Sequence, residues 1–149
     1  MTIGLCSTCY FPVFKHHTNV GYLSGILLMR YLECQEALGM ETGIIPDGQI
    51  SASSEAGAIH AAMQGRLHFQ ETVDKAGGWA VATNDANQWL QVDLGRQLAK
   101  VTRVATQGRN GPYIQLVTKY KLQYSNDGVN FQNYTEQEAN IAKVLNVHF

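Results

Sequence analysis

The sequence carries no excess of charge of either sign: 11 Lys and Arg stand against 12 Asp and Glu. Without a basic stripe there is no electrostatic footprint for following a phosphate backbone, so nucleic acid is excluded as an expected partner. Signatures of catalysis are missing as well. No Gly-x-Ser-x-Gly, His-Glu-x-x-His or glycine-rich phosphate loop occurs, and His16, His17, His60, His68 and His148 form no recognisable constellation. A hydrolase needs an activated nucleophile or a pair of positioned carboxylates, so no catalytic residue is expected.

No apolar run reaches the length of a bilayer span. Val20 to Leu32 is mostly apolar but too short to cross comfortably. It has the length of a secretion-signal hydrophobic region, yet a long segment precedes it and no small-x-small pattern occurs at Arg30-Tyr31-Leu32-Glu33. Residues 1–33 are therefore read as a leader, either an atypical signal segment or a disordered extension. Cysteine is scarce and odd in number: with Cys6, Cys9 and Cys34, at least one has no intramolecular disulfide partner. Cys6, Cys9, His16 and His17 could supply four zinc ligands, but finger-type sites separate their ligand pairs more widely, so no metal is expected.

What is present reads as one β-rich domain, since 149 residues suit a single core. Fourteen glycines and polar turn clusters separate short apolar segments. In Gln88-Trp89-Leu90-Gln91-Val92-Asp93-Leu94-Gly95, Leu90, Val92 and Leu94 share one face and Gln91 and Asp93 the other, the pattern of a half-buried strand. Val101 to Thr106 is a β-branched run suited to a strand covered on both faces. Lys119 to Ser125 alternates with Tyr120, Leu122 and Tyr124 on one face, and is expected to turn at Asn126-Asp127-Gly128 into Val129-Asn130-Phe131. Strands and turns at this spacing imply an antiparallel sandwich or jelly roll.

The wording of these segments is more specific than their periodicity. Leu38-Gly39-Met40-Glu41, Gln49-Ile50-Ser51-Ala52-Ser53-Ser54, Arg66-Leu67, Gly78-Trp79, Gln88 to Gly95, Thr106-Gln107-Gly108-Arg109 and Tyr124-Ser125-Asn126-Asp127-Gly128 occur in an order that resembles the discoidin domain, also called the coagulation factor V/VIII C-type domain. The resemblance covers Cys34 to about Asn146. It implies an all-β, distorted jelly-roll β-sandwich or barrel of the galactose-binding-like type, secreted or extracellular, with ligand-binding loops projecting from one end. It also implies that residues 34–149 are an incomplete domain. The family pattern continues beyond Asn146 through closing strands to a cysteine that would bond Cys34, whereas this sequence stops at Phe149. A chain without those strands and that crosslink is expected to be marginally stable, the crosslink alone contributing on the order of 4–5 kcal/mol in the chain-entropy account.

Fold does not fix ligand, so the loops must be read for themselves. The first, Glu55 to Gln64, carries Ile59, His60 and Met63 among alanines and has no aromatic. The second, Glu71 to Gly77, carries Glu71, Asp74 and Lys75 and reads as solvated surface. The third, Arg109 to Leu116, offers Arg109, Asn110 and Tyr113 within a short span. A guanidinium, an amide and a phenol suit sugar hydroxyls and the apolar face of a sugar ring. Leu116 stands where the resemblance leads one to expect an aromatic. The leading expectation is an adhesion module binding cell-surface glycan or glycoprotein through His60, Arg109, Asn110 and Tyr113. The alternative is an anionic phospholipid surface met by Ile59, Met63 and Ile114; a third is a fragment that binds nothing. The bland alternatives are equally concrete: Arg109 pairs with a carboxylate, Tyr113 and Leu116 pack the loop base, and His60 is an ordinary surface histidine. Trp79 and Trp89 are expected in the core, and Asp93 in an architectural pair with Arg66. No cofactor is expected; a calcium requirement is left open.

Overall fold

The computed structural model describes residues 2–6, 37–95, 99, 101–135 and 144–146, with only the backbone described for 2–6 and 144–146. Cys9, His16, His17, Cys34 and the Val20 to Leu32 run lie outside the described residues, so neither the zinc reading nor the disulfide implied for Cys34 is placed. The described residues contain eight short strands: β1 (Thr2–Cys6), β2 (Ile50–Ala52), β3 (Leu90–Val92), β4 (Arg103–Gln107), β5 (Lys119–Lys121), β6 (Gln123–Tyr124), β7 (Gln132–Asn133) and β8 (Val144–Asn146). All pair antiparallel, as β1–β4, β2–β3, β5–β8 and β6–β7. Three 3-10 turns, Asp47–Gln49, Ala58–His60 and Ala62–Gly65, are the helical content among the described residues. The architecture is all-β, as expected, but among the described residues the ladders do not close into a barrel. Within the expected leader, Thr2–Cys6 pairs with the whole of β4, Thr2 opposite Gln107 and Cys6 opposite Arg103.

The core is built where the alternation places it. Ile50, Ala52, Leu90, Val92 and Leu94 face inward from the β2–β3 ladder and enclose Met40, Ile45 and Ala62. The backbone bonds Ser53 N–H to Trp89 C=O (3.0 Å) and Asp93 N–H to Gln49 C=O (2.8 Å) lengthen that ladder at both ends. Met40 is only 1% exposed. Met40→Ala should leave a cavity and cost about 2–5 kcal/mol in a denaturant titration, while Met40→Leu, which conserves volume, should cost less than about 1.5 kcal/mol.

Two expectations need correction here. Trp79 is buried and donates its indole N–H to Ser54 C=O (2.9 Å), but Trp89 is 49% exposed. The strand's period of two explains it: Trp89 falls in phase with Gln91 and Asp93, opposite Leu90 and Val92. Asp93 is exposed and accepts from the N–H of Gly95 (2.8 Å), so it closes the turn after β3 and does not pair with Arg66. Arg66 instead pairs with Asp47 (Nη2 to Oδ1, 2.6 Å) and donates to the carbonyls of Met40 (2.8 Å) and Ile45 (2.7 Å).

The hairpin also differs. The turn between β6 and β7 runs from Ser125 to Phe131, with Gln123 opposite Asn133 and Tyr124 opposite Gln132, so Val129 to Phe131 is not strand. Asp127 is the cause. Its carboxylate accepts from the N–H groups of Val129 (2.9 Å) and Asn130 (2.7 Å), the Asn130 amide (2.7 Å) and the Ser125 hydroxyl (2.8 Å). Backbone donors spent on this side chain cannot enter a ladder. The same bonds, those from Asn130 foremost, hold the Asp127 carboxyl far below its ordinary range.

Candidate functional site

Backbone bonds join the three loops named above. In the first, Gly57 C=O receives the N–H of His60 (2.9 Å), shaping the Ala58–His60 turn, while Glu55 Oε1 accepts the N–H of Ala62 (2.6 Å) at the start of the next. The N–H of Ala76 donates to Ile59 C=O (2.8 Å), which ties the first loop to the second. The N–H of Asn110 donates to Gly77 C=O (2.9 Å), and the two residues form an isolated antiparallel bridge between the second loop and the third. Gly77 permits this approach because it has no side chain: a Cβ there would fall inside the carbonyl of Asn110. The third loop closes on itself through the N–H of Arg109 and Gln115 C=O (2.8 Å).

Arg109 reinforces this junction. It leaves β4 one residue beyond Gly108, and its side chain is almost wholly covered. Nη2 and Nε donate to Glu71 Oε2 (2.7 and 3.2 Å), Nη1 donates to Gln115 Oε1 (2.9 Å), and the guanidinium lies 5.1 Å from the centre of the Tyr113 ring. Three of its five N–H donors are thus used, leaving two without a partner among the described residues. The cation–π contact orients Tyr113 and occupies one face of its ring. Arg109 is a clamp between loops before it is a ligand contact.

Glu71, read from the sequence as solvated decoration, is the clamp's other half. The hydrogen-bonded Arg109 side chain holds its carboxyl below the ordinary range; desolvation opposes this, and the Arg109 charge, the Gly77 N–H and the His60 charge assist it. A carboxyl whose folded pKa is depressed contributes stability that is present above its unfolded pKa and lost as pH falls through the folded value. Acidification through and below the usual carboxylate range should therefore loosen the junction, read as a lower protection factor of the Asn110 amide once the observed exchange rate is divided by the intrinsic rate at each pH. Glu71→Gln should show low protection at neutral pH already, with that acid-dependent step removed; an unchanged pH profile in the variant would refute the clamp.

The predicted site residues are only partly brought together. Arg109, Asn110 and Tyr113 share the third loop, with Asn110 half-buried and Tyr113 63% exposed. His60 is half-buried, with its Nδ1 shut from solvent and lacking a partner among the described residues. Of the lipid candidates, Met63 is half-buried, whereas Ile59 is 52% and Ile114 92% exposed. One residue escaped the sequence reading. Val73 is fully exposed at the centre of a turn closed by the N–H of Thr72 and Lys75 C=O (2.8 Å). Its signal was a large apolar side chain at the centre of a charged turn, where water is the ordinary neighbour. Among the described residues no three His, Cys, Asp or Glu side chains gather as metal ligands, and no helix is long and apolar enough to cross a membrane.

Comparison with known proteins agrees with this architecture. The F5/8 type C domain family matches residues 49–148. Lactadherin of Rattus norvegicus is 42% identical over 108 residues, covering 70% of this chain and 25% of the relative. The human EGF-like repeat and discoidin I-like domain-containing protein 3 is 39% identical over 120 residues, 78% of this chain and 25% of the relative. Coagulation factor V of Sus scrofa is 35% identical over 117 residues, 75% of this chain and 5% of the relative. The chain thus spans about a quarter or less of the length of these relatives. It belongs to the F5/8 type C, or discoidin, family, and is a non-enzymatic extracellular binding module of galactose-binding-like β-sandwich fold.

Proposed function

We propose that the three joined loops are the ligand face and that they dock on a phospholipid surface. The observation that carries this reading is the exposure of Ile59, Val73, Tyr113 and Ile114, one or two from each loop, on a junction held by backbone bonds and the Glu71–Arg109 clamp. Water gains nothing from solvating large aliphatic side chains at loop tips. Burying one fully in an acyl boundary contributes about 1.5–3 kcal/mol, and several together give a reversible peripheral attachment. The rigid base avoids part of the ordering cost of binding. Lys75, which closes the turn carrying Val73, adds a cation suited to a headgroup phosphate. Sedimentation with vesicles of phosphatidylcholine, with and without phosphatidylserine, tests the reading. Binding that rises with phosphatidylserine supports an anionic preference, equal binding to both supports apolar docking alone, and binding to neither overturns it.

A glycan is the second reading, favoured by the Arg109–Tyr113 contact, which presents one aromatic face beside two spare guanidinium donors. It supports adhesion to cell-surface glycoprotein and requires Tyr113 and Asn110 more than the aliphatic tips. On a glycan array, signal lost on Tyr113→Ala but kept when Ile59 and Ile114 become Ser would favour this reading over the lipid one.

A further inference from the structure

We propose that Asn133 is an N-glycosylation site and that Phe131 packs against the first sugar attached there. Asn133-Tyr134-Thr135 fits the acceptor pattern Asn-x-Ser/Thr with a middle residue other than proline, and no other asparagine in the chain does. The extracellular family supplies the compartment in which the modification is made.

The structure presents this triplet as an acceptor. Asn133, Tyr134 and Thr135 are all exposed. Asn133 lies in β7 opposite Gln123, and its Oδ1 accepts a hydrogen bond from Gln123 Nε2 (3.0 Å). That bond fixes the amide with Nδ2 turned away from Gln123, and Nδ2 has no partner among the described residues. The N–H of Tyr134 donates to Leu122 C=O (2.8 Å), which keeps the backbone extended through the triplet. In an extended segment side chains alternate, so Phe131, Asn133 and Thr135 fall on one face. The donor is a lipid-diphosphate-linked oligosaccharide that begins with N-acetylglucosamine. The Asn133 Nδ2 loses a proton and bonds to the anomeric carbon; the bond from that carbon to the diphosphate oxygen breaks, and the lipid diphosphate leaves with the electron pair. No oxidation or reduction is involved.

Phe131 gives the site a use for its sugar. Two residues before Asn133 and partly exposed, its ring lies where the apolar C–H face of a pyranose can pack on it. Tyr124, Val129 and Tyr134 are exposed on the same hairpin. An attached oligosaccharide covers apolar surface that would otherwise invite association.

The test is the full chain expressed behind a cleavable secretion signal in mammalian cells, digested with trypsin and treated with peptide-N-glycosidase in heavy-oxygen water. Mass spectrometry of the peptide from Leu122 to Lys143 should show labelled aspartate at position 133. Asn133→Gln and Thr135→Ala should abolish the label and Thr135→Ser should keep it. Transfer precedes export, so the intracellular pool gives the same reading for any variant that is poorly secreted. Unmodified Asn133 in the wild-type chain overturns the site. For Phe131, enzymatic removal of the glycan should lower Tm in the wild type and change it much less in Phe131→Ala; equal shifts overturn its contact with the sugar.

Discussion

Arg66→Met should unfold this domain at a much lower urea concentration than the wild type, with a loss of about 3–5 kcal/mol. Arg66 is 7% exposed, and its guanidinium meets three groups of the single stretch Met40 to Asp47: the carbonyl of Met40, the carbonyl of Ile45 and the carboxylate of Asp47. Methionine fills similar volume but leaves both covered carbonyls without a donor, each costing about 1–3 kcal/mol. The Asp47 share is smaller, because that carboxylate is 57% exposed and water screens the pair. Asp47→Asn should therefore cost less than about 1 kcal/mol. The contrast between the two variants is the informative result. If Asp47→Asn were as damaging as Arg66→Met, the charge pair and not the carbonyl network would be the stabilising element.

Gly77→Ala should damage both the fold and the ligand face. The residue's backbone conformation does not demand glycine; the obstacle is steric, because the added methyl would occupy the carbonyl of Asn110. The second and third loops must then part, losing the Gly77–Asn110 bridge and straining the neighbouring Glu71–Arg109 clamp. One lost backbone hydrogen bond together with overpacking gives about 2–4 kcal/mol. Thermal unfolding reads that loss, and vesicle binding by the remaining folded fraction should fall as well. Gly48→Ala is the control: a Cβ there meets nothing, so it should change neither. A Gly77→Ala variant that matched Gly48→Ala in stability and binding would show that the loops are not held as described.

The strand around Leu90 was legible because burial on one face writes itself as alternation, and the same alternation, followed through, puts Trp89 outside. The loop junction was not legible. Glu71 and Arg109 lie far apart in sequence, and only folding shows that one carboxylate among several meets this guanidinium. For the same reason Arg109 looked available to a sugar while most of its donors were already committed. The hairpin formed, but its returning strand begins at Gln132 and not at Val129, because Asp127 captures backbone donors that the strand reading had assigned to a ladder. The wording of the motifs reached the family, and the ligand depends on which side chains the joined loops leave exposed.

The most direct test of that last point is a vesicle-binding titration of the Ile59→Ser, Val73→Ser, Ile114→Ser triple variant against the wild type, on phosphatidylserine-containing vesicles and with folding checked by Tm. All three side chains already face water, so Tm should hold within a few degrees. Affinity should fall by on the order of a hundredfold or more, corresponding to roughly 1 kcal/mol or more lost per partly inserted side chain. Undiminished binding by a folded triple variant would contradict the account and move the ligand contact away from the loop tips.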